Sequence, residues 1–478
     1  MNAADALLRF DTAIGDGAER LVRAHHRRRL RSLGWEHALD PAPGGWPAGD
    51  PPPRPGCALE VLIDGEEALP RIAEELPRAE SHVHIAGWYF TPRFRLGDAV
   101  LRELLAELAE RVDVRVLVWA GAPLPLFHPS RAEVRDMREE LTRGTRIQCA
   151  LDDRERPLHC HHEKLVVVDD RVAFVGGIDL TDFGGDRADT HDHPARGRLG
   201  WHDAATRLEG PVVADVADHF ALRWREVTGA ALPRPEPPAP TGELEVQAVR
   251  TVPERIYRAV PRGEFRILKA YVRALRSARR LVYLESQFLW SPELVEILAD
   301  KLRRPPDDAF RLVVLLPARP KDGGDDTRGQ LGVLAEADAG AGRLLACTLY
   351  QRGGERAQPV YVHAKIGIVD DEWLTVGSAN LNEHSLFNDT ELNIVCRDPA
   401  LVRETRLRLW AEHLDRPPGE VAGDPTDVVD TIWKPLADEQ LERRRSSAPL
   451  THKLVRLPGV SRRSRRLLGP LQGFVVDG

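Results

Sequence analysis

The chain is expected to fold as an α/β protein of two tandem α/β/α sandwich domains related by a pseudo-two-fold axis. Three observations predict this: a pattern that occurs twice, a proline-dense break between the copies, and matching orders of helix and strand signals on either side. The first copy, from His162, reads H-E-K-L-V-V-V-D, and the second, from His363, reads H-A-K-I-G-I-V-D. Seven residues after its aspartate each reaches a small-residue stop, Gly176-Gly177-Ile178-Asp179 in the first and Gly377-Ser378-Ala379-Asn380 in the second. Two copies, at positions 162 and 363 and so 201 residues apart, point to a duplicated domain that builds one active site at the interface of its halves.

Residues 1–56 read as an irregular preface, a short helical stretch around Arg27-Arg28-Arg29 followed by a Pro/Gly-rich run ending in Pro51-Pro52-Pro53. The first domain spans 57–230. Within it Arg78–Phe90 reads as a helix end and a strand, Val114–Trp119 and Ile147–Ala150 as short apolar strands, and Val212–Trp224 as a closing helix. Residues 231–242 are the linker, because five prolines in the nine residues Leu232–Pro240 forbid helix or central strand. The second domain, 243–415, repeats the order with Ser277–Trp290, Arg311–Leu316, Leu344–Leu349 and a closing helix over Pro399–Trp410. Residues 416–478 form a C-terminal extension with a basic tail.

With 478 residues, 42% hydrophobic and 29% charged, the chain is long enough for two cores and has the balance of a globular protein. No apolar run approaches the ~18 residues of a membrane span, and the N-terminus lacks a signal peptide's apolar core. Five cysteines (57, 149, 160, 347, 396), odd in number and unpatterned, fit a reducing compartment. The expectation is a cytoplasmic monomer that touches membranes peripherally. Nine Lys/Arg against two Asp/Glu in Leu441–Gly478 give the tail +7, so the net −7 leaves −14 for the body. An acidic body argues against nucleic acid as partner. The tail either meets anionic lipid or nucleic acid, or stays solvated or paired within the chain.

The paired motif carries the chemistry. Lys164–Asp169 and Lys365–Asp370 are β-branched and apolar, hence buried strands. Alternation puts His162 with Lys164, and His363 with Lys365, on one face. A turn at Asp169-Asp170-Arg171 or Asp370-Asp371-Glu372 and a second strand return the small residues beside the His and Lys. Each half thus offers an imidazole, an ammonium and a small-residue cradle, with Gly177 and Ser378 admitting an oxyanion and Asn380 adding a neutral donor. Two halves facing each other suit in-line displacement at a phosphodiester. One histidine attacks to give a phosphohistidine and the other protonates the leaving oxygen. Lysine charge neutralises the phosphate, so no cofactor or metal is expected.

The two motifs resemble the duplicated HKD motifs of the phospholipase D superfamily, with similarity running from about Cys57 to Trp410. Gly176–Leu180 with Asp189-Thr190 and His193, then Trp201-His202-Asp203, Gly210-Pro211 and Arg223-Trp224, resemble its phosphatidylcholine-type branch. So do Tyr283–Phe288 (Y-L-E-S-Q-F) and Gly377–Asn382 with Ser385 and Glu391. The resemblance implies that His162 is the nucleophile and His363 the general acid. It implies that Asp203 and Glu391, the acidic residues downstream of the motifs, orient the histidines. Asp169 and Asp370 would hold the hairpins. Gln287 and Trp88 are candidates for the substrate pocket, Trp88 and Tyr89 being otherwise sheet core. Asp179, where many members carry Asn, departs from the pattern and puts its own phosphate role in doubt.

The implied activity is release of phosphatidic acid from a glycerophospholipid, with transphosphatidylation to alcohols. A cardiolipin synthase-type phosphatidyltransferase and a nucleic-acid phosphodiesterase are the alternatives. His159-Cys160-His161-His162 resembles a metal-ligand set, but strand alternation splits it between two faces. Leu124–Phe127 is either a lipid-dipping loop or core, and the acidic loop Lys321–Gln330 is a lid, an ion site or, as the simpler reading, a solvated surface loop.

Overall fold

The computed structural model describes residues 3–42, 45–47, 49, 51–124, 127–156, 159–185, 193, 200–319, 324–351 and 357–457. Among these, the first sheet is built of β1 (Arg54–Ile63), β2 (His82–Gly87), β3 (Asp113–Trp119), β4 (Gln148–Asp152), β5 (Lys164–Val168), β6 (Val172–Gly176) and β7 (Ala204–Glu209). Their spatial order is β4-β3-β2-β5-β6-β7-β1, parallel across β4, β3 and β2 and antiparallel thereafter. The second sheet repeats it with β8 (Leu244–Val252), β9 (Leu281–Glu285), β10 (Arg311–Leu315), β11 (Leu344–Tyr350), β12 (Ile366–Val369), β13 (Trp373–Gly377) and β14 (Glu391–Cys396). Its order is β11-β10-β9-β12-β13-β14-β8. The two first strands, β1 and β8, pair antiparallel at Arg54 opposite Val246 and Cys57 opposite Leu244, so the sheets meet at the pseudo-two-fold axis.

Alternation along the strands feeds two apolar layers per half. On β5, Val166 and Val168 pack under the helices α2 (Asp64–Glu75), α3 (Leu101–Leu108) and α4 (Arg131–Thr142). Leu165 and Val167 pack under α5 (Val212–Thr228). On β9, Val282 and Leu284 face α6 (Arg266–Ser277), α7 (Pro292–Arg303) and α8 (Gly324–Asp338). Leu281 and Tyr283 face α9 (Pro399–Leu414). The closing helices reach across the axis. The layer under α5 includes Val246, Ala248, Leu392 and Ile394 of the second half, and the layer under α9 includes Val61, Ile63 and Ala204 of the first. Each half is an α/β/α sandwich, and half of each core is shared.

The expected preface is different in the structure. A 31-residue helix, Ala3–Leu33, replaces the short stretch. It docks on the second half through His26, stacked 4.0 Å from Phe387 and 2.7 Å from Glu293, and through Arg29, bidentate to Glu254. An arginine-rich run reads as solvated until its acidic partners, more than 200 positions away, are known. The C-terminal extension is likewise tied in, as Leu454–Arg456 pairs antiparallel with β11. Most of the basic tail, from residue 458, lies outside the described residues. Of the acidic loop, Gly324 onward is the start of a helix, and residues 320–323 are outside the described residues. Leu124 is half exposed and Phe127 packs on the Trp88–Trp119 cluster, with residues 125–126 not described.

Both motif hairpins turn through two aspartates with positive φ, 55° and 51° at Asp169 and Asp170 and 54° at Asp370 and Asp371. That pair of left-handed residues is the requirement of a two-residue turn matching strand twist. The carboxylate of Asp169 accepts from the backbone N–H groups of Glu80, Ser81 and His82 at 2.8–2.9 Å. Asp370 accepts from those of Arg279, Arg280 and Leu281 at 2.7–2.8 Å. Each motif aspartate therefore fastens its hairpin to the start of the neighbouring antiparallel strand, β2 or β9. Replacing either by Ala is expected to lower unfolding free energy by about 2 kcal/mol, the order for charge-assisted bonds at a half-exposed site. Burial works to raise the Asp169 pKa, but the three amides outweigh it and hold it below the usual carboxylate range. Its share of stability is thus complete above the ordinary carboxylate pKa and lost as pH falls through the lowered one. Urea titrations of wild type and Asp169→Ala at neutral and acid pH check both; a difference that grows in acid would contradict this role.

Candidate active site

The two motif histidines meet in one cleft, their ring centroids 6.3 Å apart and nearly perpendicular. The cleft holds about 490 Å³ of free space, counted out to its mouth, and His162, Lys164, Gly177, Asp179, Gln287 and His363 line it. Trp88, Phe183 and Trp201 form its aromatic wall, with Trp88 backed by Trp119 at 6.0 Å and Trp201 set 4.9 Å from the His363 ring.

Backbone exchange across the axis puts each histidine there. The carbonyl of Thr390 accepts from the N–H groups of His162 and Glu163, at 2.9 and 3.1 Å. The carbonyl of His202 accepts from those of His363 and Ala364, at 2.8 and 3.0 Å. The residue after each carbonyl is acidic, so each half delivers a carboxylate to the other half's imidazole. Glu391 lies 3.1 Å from His162 Nδ1, and Asp203 lies 2.6 Å from His363 Nδ1. The orienting pairs are crossed.

The two carboxyls are dissimilar. Burial pushes Asp203 up to about 6 against the pull of Lys365. Burial, reinforced by Asp389, holds Glu391 well above the usual range. Glu391 also accepts from the hydroxyls of Ser378 and Ser385. His162 Nδ1 has a second acceptor, the Ser378 carbonyl at 3.1 Å. That carbonyl can only accept, so it selects the Nδ1–H tautomer whatever the protonation of Glu391.

Both lysines are buried, and each donates to the carbonyl of its own motif histidine. They then diverge. Lys164 Nζ forms an ion pair with Asp179 at 3.2 Å, whereas Lys365 sits beside Asp203 beneath the cleft floor. Asp179 also accepts from the Trp88 N–H at 3.1 Å, and burial raises its pKa in spite of Lys164. A Cβ on Gly87 would come within 2.7 Å of its oxygen, so a larger residue there would push the Asp179 carboxylate aside.

Some expected cradle residues serve the cleft indirectly. Gly177 lines it, but its missing side chain makes room for the Asp203 carboxylate, which a Cβ there would strike. Ser378 spends its hydroxyl on Glu391. Asn380 donates to Gln287 Oε1 at 3.3 Å, and Gln287 donates to the Tyr361 hydroxyl at 2.9 Å. Ser378, Asn380, Lys365 and Glu391 are thus behind the lining rather than in it. The Asp179–Lys164 pair, the Trp201 contact with His363 and the carbonyls of Thr390 and His202 were not foreseen. Of the residues in these contacts, Thr390 alone carries no signal in the sequence. The histidine run is split as expected: His159 Nδ1 is 3.0 Å from His384, His161 turns to Asp152, and His162 enters the cleft. Asp189 and Thr190 lie outside the described residues.

Comparison with known proteins agrees with this architecture. Residues 72–188 match the family profile "Cardiolipin synthase, PLD-like domain", and residues 346–448 match "Phospholipase D". The chain is 25% identical to phospholipase D A of Dictyostelium discoideum over 76% of its own length and 36% of that protein. It is 24% identical to phospholipase D2 of Bos taurus over 73% of its length and 50% of that protein. With the major cardiolipin synthase ClsA of Bacillus subtilis it shares 23% identity, over 75% of this chain and 72% of that one. It spans about a third to a half of these two phospholipases D and of phospholipase D1 of Schizosaccharomyces pombe. In fold it is similar to the crystal structure of phosphatidylserine synthase from Haemophilus influenzae, with TM-score 0.50 and 14% identity over 81% of this chain and 93% of that one. Both motif segments therefore fall within residues that these two family profiles match, and the chain belongs to the phospholipase D superfamily.

Proposed function

We propose that the chain is a phosphodiesterase and phosphatidyltransferase that cleaves the headgroup side of a glycerophospholipid, giving phosphatidic acid, or a phosphatidyl alcohol when an alcohol replaces water. The observation that carries this reading is the pair of imidazoles 6.3 Å apart, each held at Nδ1 by a carboxylate from the other half. Near-attack contacts of roughly 3–3.5 Å on either side would seat one phosphoryl group between them.

In the first step His162 Nε2, carrying the lone pair that the Ser378 carbonyl selects, attacks phosphorus. The bond to the headgroup oxygen breaks, and the His363 imidazolium gives that oxygen its proton. In the second step neutral His363 takes a proton from water or an alcohol, whose oxygen attacks phosphorus and releases His162. The unequal carboxyls suit these roles. Asp203 is ionised at neutral pH and stabilises a protonated His363, whereas a Glu391 held high does little to trap His162 as an unreactive imidazolium. Lys164 and Lys365 balance the phosphate charge. The arriving phosphate would drive Asp179 further towards its neutral form. Among the described residues no helix is long and apolar enough to cross a membrane, so the lipid would be met from the surface.

The profile match over residues 72–188 and the ClsA relative favour one second reading, a cardiolipin synthase-type transfer in which another lipid's hydroxyl is the acceptor. Offering mixed phospholipid vesicles with ethanol, with phosphatidylglycerol and with neither, and following products by mass spectrometry, tests both. Phosphatidic acid and phosphatidylethanol are expected, and the absence of every phosphatidyl product would sink the proposal. His363→Ala should accumulate phosphoenzyme on His162, and His162→Ala should form none; a label trapped on His363 would reverse the roles.

The crossed wiring has its own test. Asp203→Asn is expected to cut kcat roughly 10²–10⁴-fold, the range for removing the partner of a catalytic imidazole. Like His363→Ala, it should be partly rescued by a p-nitrophenyl leaving group, which needs no proton. Glu391→Gln and His162→Ala should not be rescued, and rescue of Glu391→Gln instead would refute the pairing. Because Asp203 must be ionised to support His363, kcat should fall as pH drops through about 6, and a profile flat across that range would count against it.

A further inference from the structure

Directly behind the Asp203–His363 pair lies a second group of convergent side chains that the proposed reaction does not use. Asp64, His193 and His202 come from the first half and Glu412 from the closing helix α9 of the second. Asp64, His193 and His202 are at most 1% exposed, and the Glu412 side chain is 11% exposed. Asp64 Oδ1 is engaged, accepting from the Asp203 N–H at 2.9 Å and lying 2.8 Å from His202 Nδ1. Its other oxygen lies at ion-pair distance from the His193 ring. Asp64 Oδ2, His193 Nε2 and Glu412 Oε1 are buried and make no hydrogen bond of acceptable geometry among the described residues. Yet they point together, with Nε2 3.0 Å from Oδ2 and 3.6 Å from Oε1. His202 Nδ1 is 3.9 Å from the same Oε1, and Lys453 Nζ stands 4.0 Å from it on the rim.

Lone pairs that converge at this spacing are what a cation requires. A tetrahedral zinc ion with bonds of about 2.0–2.1 Å separates its ligand atoms by roughly 3.3–3.4 Å, in the middle of the range seen here. The charges suit it as well, since two carboxylates neutralise a divalent ion when both imidazoles are neutral. His202 carries the outer support such a ligand needs. Its Nε2 is 2.7 Å from Glu285, which is in turn 3.0 Å from His413 Nε2 and accepts from the Tyr283 hydroxyl. With Nε2–H donated to Glu285, loss of the Nδ1 proton shared with Asp64 Oδ1 would turn an Nδ1 lone pair towards a bound cation.

The duplicated frame does not demand these side chains. The strand registers make Asp64 the counterpart of Thr251, and His202 the counterpart of Thr390. The backbone exchange works equally well with threonine in the other half. What the first half adds at these two positions is ligating chemistry.

We propose that Asp64, His193, His202 and Glu412 form a binding site for one structural divalent transition-metal ion, zinc being the best fit, that clamps the two halves together behind His363. The ion would not touch the substrate. It would hold Asp64, and through the Asp64–Asp203 backbone contacts the carboxylate that orients His363.

The test uses the full chain, purified from zinc-supplemented medium without chelators. Elemental analysis should find one zinc per chain. After stripping with a chelator, added zinc should restore that stoichiometry by calorimetry and raise the melting temperature, with calcium far weaker. Glu412→Gln, which keeps the shape of the side chain, and His193→Gln should lose the zinc while circular dichroism reports an intact fold. His384→Gln, in the separate His159–His384–Asp389 group, should retain it. Zinc-free protein with no thermal response to zinc would overturn the proposal, leaving a proton-shared ion network. So would calcium binding in preference to zinc, or zinc that persists in both variants.

Discussion

The architecture depends on one reciprocal contact. A backbone carbonyl from each half takes the two N–H groups at the start of the other half's motif, and the next side chain follows it into the cleft. Everything chemical is downstream of this exchange. It sets which carboxylate reaches which imidazole and brings the rings to their separation, while each lysine donates to the carbonyl of its own motif histidine, Lys164 from the cleft lining and Lys365 from beneath it. Buried backbone groups must be satisfied, so the exchange cannot slip by a residue without stranding four N–H groups in a dry interface.

Packing reinforces it. Because α5 and α9 each cover strands of the opposite half, the apolar layers cannot be separated along the axis without exposing Val246 and Ile394 on one side or Val61 and Ala204 on the other. The hairpin turns, pinned by Asp169 and Asp370, anchor the outer end of each motif strand while the exchanged carbonyls anchor the inner end. The motif strands are therefore held at both ends, which keeps the cleft between them preorganised.

Much of this was legible in the sequence. Strand alternation, the double-aspartate turns, the proline linker and the two His-Lys pairs are local signals, and each is where periodicity and turn chemistry put it. What local signals do not carry is the partner of a side chain across the axis. Asp203 and Glu391 were recognisable as orienting acids, but nothing near either residue encodes that it serves the distant motif. The same holds for Arg29, whose partner Glu254 is remote, and for Asp179, whose effect depends on Lys164 being turned towards it. Asn380 and Ser378 looked like phosphate donors because of their chemistry. The fold commits them instead to Gln287 and Glu391.

The pseudo-symmetry is thus a symmetry of frame and an asymmetry of contents. Threonines stand where the first half has Asp64 and His202, and a carboxylate faces Lys164 where the second half has an amide. The crossed orienting pairs give this arrangement the logic of a circuit wired in series. On the proposed mechanism a lesion in the orienting acid of either half would disable the histidine of the other, so neither half could drift as a spare copy. Once duplicated and crossed, the two units became a single heritable device, free to diverge in role but not to part.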